Sequence, residues 1–444
     1  MPLNLRKKLE NHLKNLIDKV YDIPSYKKCG RVKQVVGLTI ESRGPEGFIN
    51  ELCYIKKGTD FSLLPAEIVG FKNENVLLMP LGDMSGVGPN SVVFGQDTYL
   101  EVNLSEDLRG RILDGLGNPI DGKGAITPKE KRLIYSYAPH PLDRATIKEV
   151  LPVGVRAIDG LITLGKGQRI GVFAGSGVGK STLMGMIAKN TTADINVISL
   201  VGERGREVKE FIERDLGKGI EKSIVVVATS DMPALVRIKS AFVATTIAEY
   251  FRDKGHDVLL MMDSITRLAM SQREVGLAIG EPPTTRGYTP SVFSVLPSLL
   301  ERAGMGKNGS ITGIYTVLVE ADDFNEPISD AIRGIVDGHI ILSRALAASN
   351  HYPAIDVLQS VSRLMNTITS KEHKISAGKI RKLLSAYEDS KDLISIGAYV
   401  KGSDPIVDEA ISKKEIIDGF LKQGTEEYDD FATVIEKLRM ISEE

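Results

Sequence analysis

The sequence predicts an α/β protein in three parts: a small N-terminal β-barrel, a central parallel sheet covered by helices, and a C-terminal α-helical domain. Three observations carry this. Between residues 30 and 101, short β-type runs alternate with Gly, Pro and Asn clusters, the spacing of a small barrel or sandwich. From about Val153, apolar strand candidates alternate with helical stretches, which implies a parallel sheet with crossover helices. After about Thr369 the β-type runs stop and helical periodicity takes over.

Taken in order, the chain opens with Leu5, Leu9, Leu13, Leu16, Ile17 and Val20 at three- and four-residue steps. They predict an amphipathic helix over residues 1–22, ended by Ile23-Pro24. Its apolar face fits a groove on a partner protein. Its Arg6, Lys7, Lys8, Lys14 and Lys19 would suit an anionic lipid surface, a competing reading, and packing on its own barrel is a third. Strands over residues 32–40, 67–71, 76–79 and 98–102 build the barrel domain, 23–104. Leu113-Asp114-Gly115-Leu116-Gly117-Asn118-Pro119 is a dense turn cluster that leads into the central domain, 105–369. There, residues 195–200, 223–228, 258–262 and 313–319 are strands. Helices over 379–387, 405–423 and 426–440 fill the last domain, 370–444.

At 444 residues the chain exceeds one hydrophobic core. Its 56 basic and 58 acidic residues leave no global positive field to gather nucleic-acid phosphates. Cys29 and Cys53 have no metal-ligand spacing and read as free thiols of a reducing compartment. With no run of 18 apolar residues and charges at the N-terminus, a cytoplasmic protein is expected.

The chemistry begins at Ala174 to Thr182, A-G-S-G-V-G-K-S-T. The apolar run Arg169-Ile170-Gly171-Val172-Phe173-Ala174 precedes it, and helical spacing follows from Thr182. Strand, Gly-rich loop and helix together make a triphosphate site, whereas a Gly-rich surface turn would lack these flanks. Gly175, Ser176, Gly177, Val178 and Gly179 turn backbone N–H groups toward phosphate, Lys180 supplies a point charge, and Ser181 supplies a hydroxyl for Mg²⁺, with Thr182 continuing the helix. Ala174 replaces the usual first glycine, so an ordinary φ is expected there. Val258-Leu259-Leu260-Met261-Met262-Asp263 is an apolar strand ending in the carboxylate that a magnesium–phosphate site needs. Val201-Gly202-Glu203-Arg204-Gly205-Arg206-Glu207 follows another strand, placing Glu203 to orient water and Arg204 to meet a phosphate. A solvated helix start rich in acidic residues has the same look.

Pro353-Ala354-Ile355-Asp356-Val357-Leu358-Gln359-Ser360-Val361-Ser362-Arg363 resembles the signature of the rotary ATPase α/β superfamily. Leu151 to Gly160, Gly280 to Tyr288 (G-E-P-P-T-T-R-G-Y), Leu296 to Gly304 and Asp337 to Arg344 are similar to the flagellar and type III secretion export ATPases. The resemblance is specific from about Arg109 to Arg363. It implies a central RecA-like domain in a ring hexamer with nucleotide between subunits. Lys180, Ser181 and Asp263 would hold MgATP, Glu203 would activate water, and Arg363 would be an arginine finger for the neighbouring site; a structural surface arginine is the alternative, and the place after Ser360-Val361-Ser362 argues against it. Lys180, Glu203 and Arg363 sit in one chain, which implies a homohexamer rather than the two subunit types of a rotary synthase. The family also implies a regulator bound at the N-terminal helix, a coiled-coil stalk, exported proteins and their chaperones, peripheral association with an export gate at the inner membrane, and no nucleic acid. The helical tail resembles the part facing the stalk, with Tyr399-Val400-Lys401-Gly402-Ser403-Asp404 a plausible contact loop or an ordinary turn. In the rotary catalytic subunit an aromatic after the finger segment stacks on adenine; here Glu372-His373-Lys374 stands at that place, and Phe420-Leu421-Lys422-Gln423-Gly424 partly resembles the second wall. A rotary synthase subunit and a Rho-type nucleic-acid motor are the alternatives. The finger in the same chain argues against the first, and the neutral charge with no aromatic–basic platform argues against the second.

Overall fold

Alternation of buried and exposed side chains along short strands builds a first unit, which ends at Leu100. The computed structural model describes residues 28–319, 323–324 and 326–443; the helix expected over residues 1–22 lies outside them. β1 (Cys29–Val36), β2 (Thr39–Arg43), β3 (Leu52–Lys56), β4 (Leu63–Lys72), β5 (Asn75–Pro80) and β6 (Val92–Gly95) close into an antiparallel barrel in the order β1-β2-β5-β4-β3-β6. The single strand expected over residues 32–40 is a hairpin. Gly37, at φ +56°, turns the chain so that Val36 pairs with Thr39. Val32, Ile40, Ile55, Ile68, Leu78 and Val93 fill the interior. The buried carboxylate of Glu51 accepts the N–H groups of Phe48, Gln96 and Asp97 at 3.0–3.2 Å, tying two loops to the barrel end.

The second unit starts at Glu101. β7 (Glu101–Leu104) and β9 (Glu130–Leu133) form a two-stranded ribbon, and β8 (Ile112–Asp114) joins the main sheet. The chain then alternates: α1 (Arg156–Leu161), β10 (Arg169–Ala174), α2 (Lys180–Asn190), β11 (Ile195–Glu203), α3 (Gly205–Glu210), β12 (Ser223–Thr229), α4 (Ala234–Asp253), β13 (Asp257–Asp263) and α5 (Ile265–Ile279). It continues through α6 (Pro290–Leu300), β14 (Gly304–Met305), β15 (Ser310–Leu318), α7 (Pro327–Ile335), β16 (Gly338–Leu342), α8 (Arg344–Ala348) and β17 (Ile355–Ser362). The sheet order is β17-β16-β10-β15-β13-β11-β12-β8. Neighbours are parallel except β17, which runs against β16, and the short β14, which pairs antiparallel with β15. The central strands read as continuous apolar runs because helices cover both faces.

Four helices end the chain: α9 (Met365–Ile368), α10 (Lys371–Ser395), α11 (Pro405–Leu421) and α12 (Phe431–Glu443). Ile380, Ile417 and Leu438 from α10 to α12 share one hydrophobic core with Ile158 and Leu161 of α1 and with Val172 of β10. The helical part is thus packed into the same unit as the sheet.

Burial is not all apolar. Arg302, fully buried, reaches Glu249 through Nε (2.9 Å) and Nη2 (2.6 Å), and also Thr246 and the Ile134 carbonyl. Such a pair is stable only while both charges are present. Glu249→Ala is expected to lower urea-unfolding stability by about 3–5 kcal/mol. The double variant Glu249→Leu with Arg302→Met should recover most of it, and a single variant as stable as the parent would show that the pair is dispensable.

Candidate functional site

The carboxyl ends of β10, β11 and β13 point to one edge of the sheet, where loops leave the strands. Ala174 ends β10 in the strand, without the positive φ of a turn glycine. Two glycines of the following loop adopt positive φ, Gly177 at +78° and Gly179 at +89°. At Gly175 the Arg344 guanidinium packs close to the backbone, 2.7 Å from where a Cβ would sit. α2 begins at Lys180, so Lys180, Ser181 and Thr182 form its first turn and its free N–H groups face the loop.

Lys180 crosses β15 to Asp263, the last residue of β13, and its Nζ donates to Asp263 Oδ1. Glu203, the last residue of β11, brings Oε1 within 3.7 Å of the same Nζ. A bulge produces this aim. The pairing of β11 with β12 slips between Val201 and Glu203, with Gly202 at φ +69°, so the strand re-aims its final side chain. Arg267, in the first turn of α5, places Nε 3.4 Å from Glu203 Oε1. Neither Glu203 Oε1 nor Arg267 Nε makes a hydrogen bond although both are buried; they face each other as an ion pair. Burial, and then the charge of Asp263 across the site, push the Glu203 carboxyl up to about 7. Thr316 of β15 donates its hydroxyl to Asp263 Oδ1 at 2.7 Å.

Lys180, Glu203 and Asp263 therefore converge, while the other two candidates lie elsewhere. Arg204 is 71% exposed in its side chain and pairs with Glu207 at 3.4 Å, outside the buried cluster. Arg363 lies at the opposite end of the sheet. Its N–H donates to the Asp337 carbonyl, and Asp337 in turn bonds Arg169, the first residue of β10. The length of β10 puts this roughly 16 Å from the phosphate loop. The Arg363 side chain is exposed, and Nη2 donates to the Arg333 carbonyl at 3.3 Å.

The segment Glu372-His373-Lys374 is not at the nucleotide edge. His373 is buried in α10, bonds the Gly160 carbonyl at 2.7 Å and packs on the ring of Phe431. Phe420 also packs against Gly160. The aromatic ring at the loop is instead Tyr352, whose edge lies 3.4 Å from where a Cβ of Gly179 would sit. It precedes the finger segment rather than following it, and the readable signal was its place directly before Pro353. Arg267 was also missed, and its only signal was a basic residue one helical turn after the Asp263 strand.

Three family models match the chain: the ATP synthase alpha/beta family nucleotide-binding domain over residues 154–362, the beta-barrel domain of that family over 32–94, and the T3SS EscN ATPase C-terminal domain over 369–440. The chain is 57% identical to the flagellum-specific ATP synthase of Bacillus subtilis over 93% of its own length and 95% of the relative's. It is 50% identical to the type 3 secretion system ATPase of Xanthomonas euvesicatoria, covering 94% and 95%. The structure of the assembled ATPase EscN from enteropathogenic E. coli superposes with TM-score 0.88 at 46% identity, covering 93% of this chain and all of that one. EscN in complex with its central stalk EscO gives 0.86 at 45% identity, covering 93% and 100%.

The loop geometry has a direct consequence. Gly179→Ala forces a side chain into positive φ at about 1–2 kcal/mol. It is expected to weaken binding of a fluorescent ADP analogue about five- to thirtyfold, since each 1.4 kcal/mol is tenfold, while the protein stays folded by circular dichroism. Unchanged binding would show that the loop does not hold the nucleotide.

Proposed function

The chain belongs to the type III secretion and flagellar ATPases of the ATP synthase alpha/beta family, and from that premise we propose that it hydrolyses MgATP in a homohexameric ring whose sites are each shared by two copies, and that this turnover energises protein export. One observation carries the shared site: a single chain presents the phosphate loop and an exposed arginine at opposite ends of β10, too far apart to meet.

Without substrate, Lys180 and Arg267 balance Glu203 and Asp263. Phosphates bring further negative charge, so cations must be added or redirected. Lys180 leaves Asp263 for the phosphate oxygens as the loop N–H groups of residues 175–182 close on them. Among the described residues, no three His, Cys, Asp or Glu side chains form a metal cage. That suits Mg²⁺, a hard cation that takes a few protein oxygens along with phosphates and water. The Ser181 hydroxyl and the Asp263 carboxylate would hold it, and when bound it neutralises charge on the phosphate oxygens. Glu203 orients the attacking water and takes its proton, a role that suits a carboxyl raised toward neutrality. Arg267 limits where the Glu203 carboxylate can turn. Tyr352, whose ring lies beside Gly179, is the aromatic side chain that would contact the base. Arg363 of the neighbouring copy supplies the remaining positive charge at the transferring phosphoryl group. Arg204 is an exposed cation at the rim, available to a phosphate outside the buried cluster.

The partners follow the same reading. The end of α10 and the turn after it expose Leu393, Ile396 and Val400, a surface suited to a coiled-coil stalk partner; EscN is seen in complex with its central stalk EscO. A regulator would dock on residues 1–22 and bring the ring to the inner membrane. Among the described residues no helix is long and apolar enough to cross a membrane.

Glu203→Gln is expected to keep nucleotide binding and lower turnover about 10²–10⁴-fold; full activity would remove Glu203 from the mechanism. The shared site is tested by mixing two inactive variants, Lys180→Ala and Arg363→Ala. Interfaces joining an intact loop to an intact arginine should restore part of the ATPase activity. If the mixture stays inactive while both variants assemble by mass measurement, Arg363 does not act in trans.

A further inference from the structure

We propose that Thr316 is a positioning residue whose hydroxyl fixes the Asp263 carboxylate for a nucleotide-bound divalent cation. Almost all of β15 is buried, and Thr316 itself is fully so. An alcohol in such a strand gives up its hydration and needs a partner, whereas valine fills the same shape with no such need. Thr312, earlier in the strand, satisfies this rule by accepting the Gly167 N–H at 2.8 Å. Thr316 satisfies it on Asp263, at 2.7 Å, with the Met262 carbonyl more distant at 3.4 Å.

Register puts the hydroxyl there. β15 lies between β10 and β13. Thr316 is level with Val172 of β10 and one residue beyond the pairing of Tyr315 with Met262 of β13. It therefore stands between the strand that launches the phosphate loop and the strand that ends in Asp263.

Asp263 Oδ1 has two donors, the Thr316 hydroxyl and the Lys180 ammonium. They differ in what happens when phosphate arrives. Lys180 is long and flexible and moves to the phosphates, while Thr316 belongs to a buried strand and stays. Its bond keeps Oδ1 engaged and leaves the second carboxylate oxygen for the cation. Without the hydroxyl, the broad χ2 well of aspartate lets the carboxylate follow Lys180.

This inference rests on the reading of Asp263 given above. The test uses the full chain, a fluorescent ADP analogue, and titration with MgCl₂ or EDTA. Thr316→Val is expected to raise the Mg²⁺ concentration for half-maximal binding about tenfold, as loss of a group supporting a metal ligand commonly does. Binding in EDTA and the melting temperature should change little, and Thr316→Ser should restore the parental Mg²⁺ dependence. Asp263→Asn serves as the reference. If it shifts the Mg²⁺ dependence and Thr316→Val does not, the positioning role is wrong. If Asp263→Asn leaves the dependence unmoved, the reading of Asp263 itself fails and the inference falls with it. Should Thr316→Val not fold, Thr316→Ala and Thr316→Ser replace it. Equal Mg²⁺ dependence in Ala and Ser variants would overturn the proposal.

Discussion

Everything at the nucleotide edge depends on keeping one ammonium and two carboxylates together out of water. Lys180, Glu203 and Asp263 have side chains no more than 12% exposed, and no single member is stable there alone. The fold meets this with strands rather than loops. Glu203 and Asp263 are the last residues of β11 and β13, so their backbones are fixed by ladder bonds to neighbours buried on both faces. Lys180 starts a helix whose own strand, β10, lies one strand beyond β15. The charge balance is completed by Arg267. A site that is neutral when empty must import positive charge when a triphosphate binds, and this is why a metal and a neighbour's arginine belong to the same argument.

The sheet also explains why the chain reads as half of a larger object. A parallel sheet gathers its functional loops on one edge. Arg363 follows β17, which runs antiparallel to β16, so it emerges at the other edge beside Arg169. The reversal of one edge strand exports an arginine from its own site. In the ring proposed above, that edge of one copy would meet the loop edge of the next.

The C-terminal helices are tied to the nucleotide edge through polar contacts as well as through the shared core. Gln423 donates its N–H to the Tyr352 carbonyl at 2.9 Å, and its side chain bonds the Gly154 carbonyl and accepts the Arg156 N–H. Tyr352, beside Gly179, is thus braced by the segment that follows α11.

The sequence alone determined what local pattern can encode. The strand–loop–helix around Lys180, the apolar strand ending in Asp263, the three-part architecture and the family were legible because period, glycine placement and contiguous motifs are local properties. Tertiary structure decided which distant groups share a space. Periodicity gave no sign of the turn at Gly37 that makes a hairpin of residues 32–40, because a single positive-φ glycine does not interrupt an apolar run. It gave no sign that Tyr352 rather than the region of His373 lies at the loop, since that follows from how β17 and α10 pack. Nor could it pair Thr316 with Asp263 or Arg267 with Glu203, which stand 53 and 64 residues apart and meet only through strand order and register.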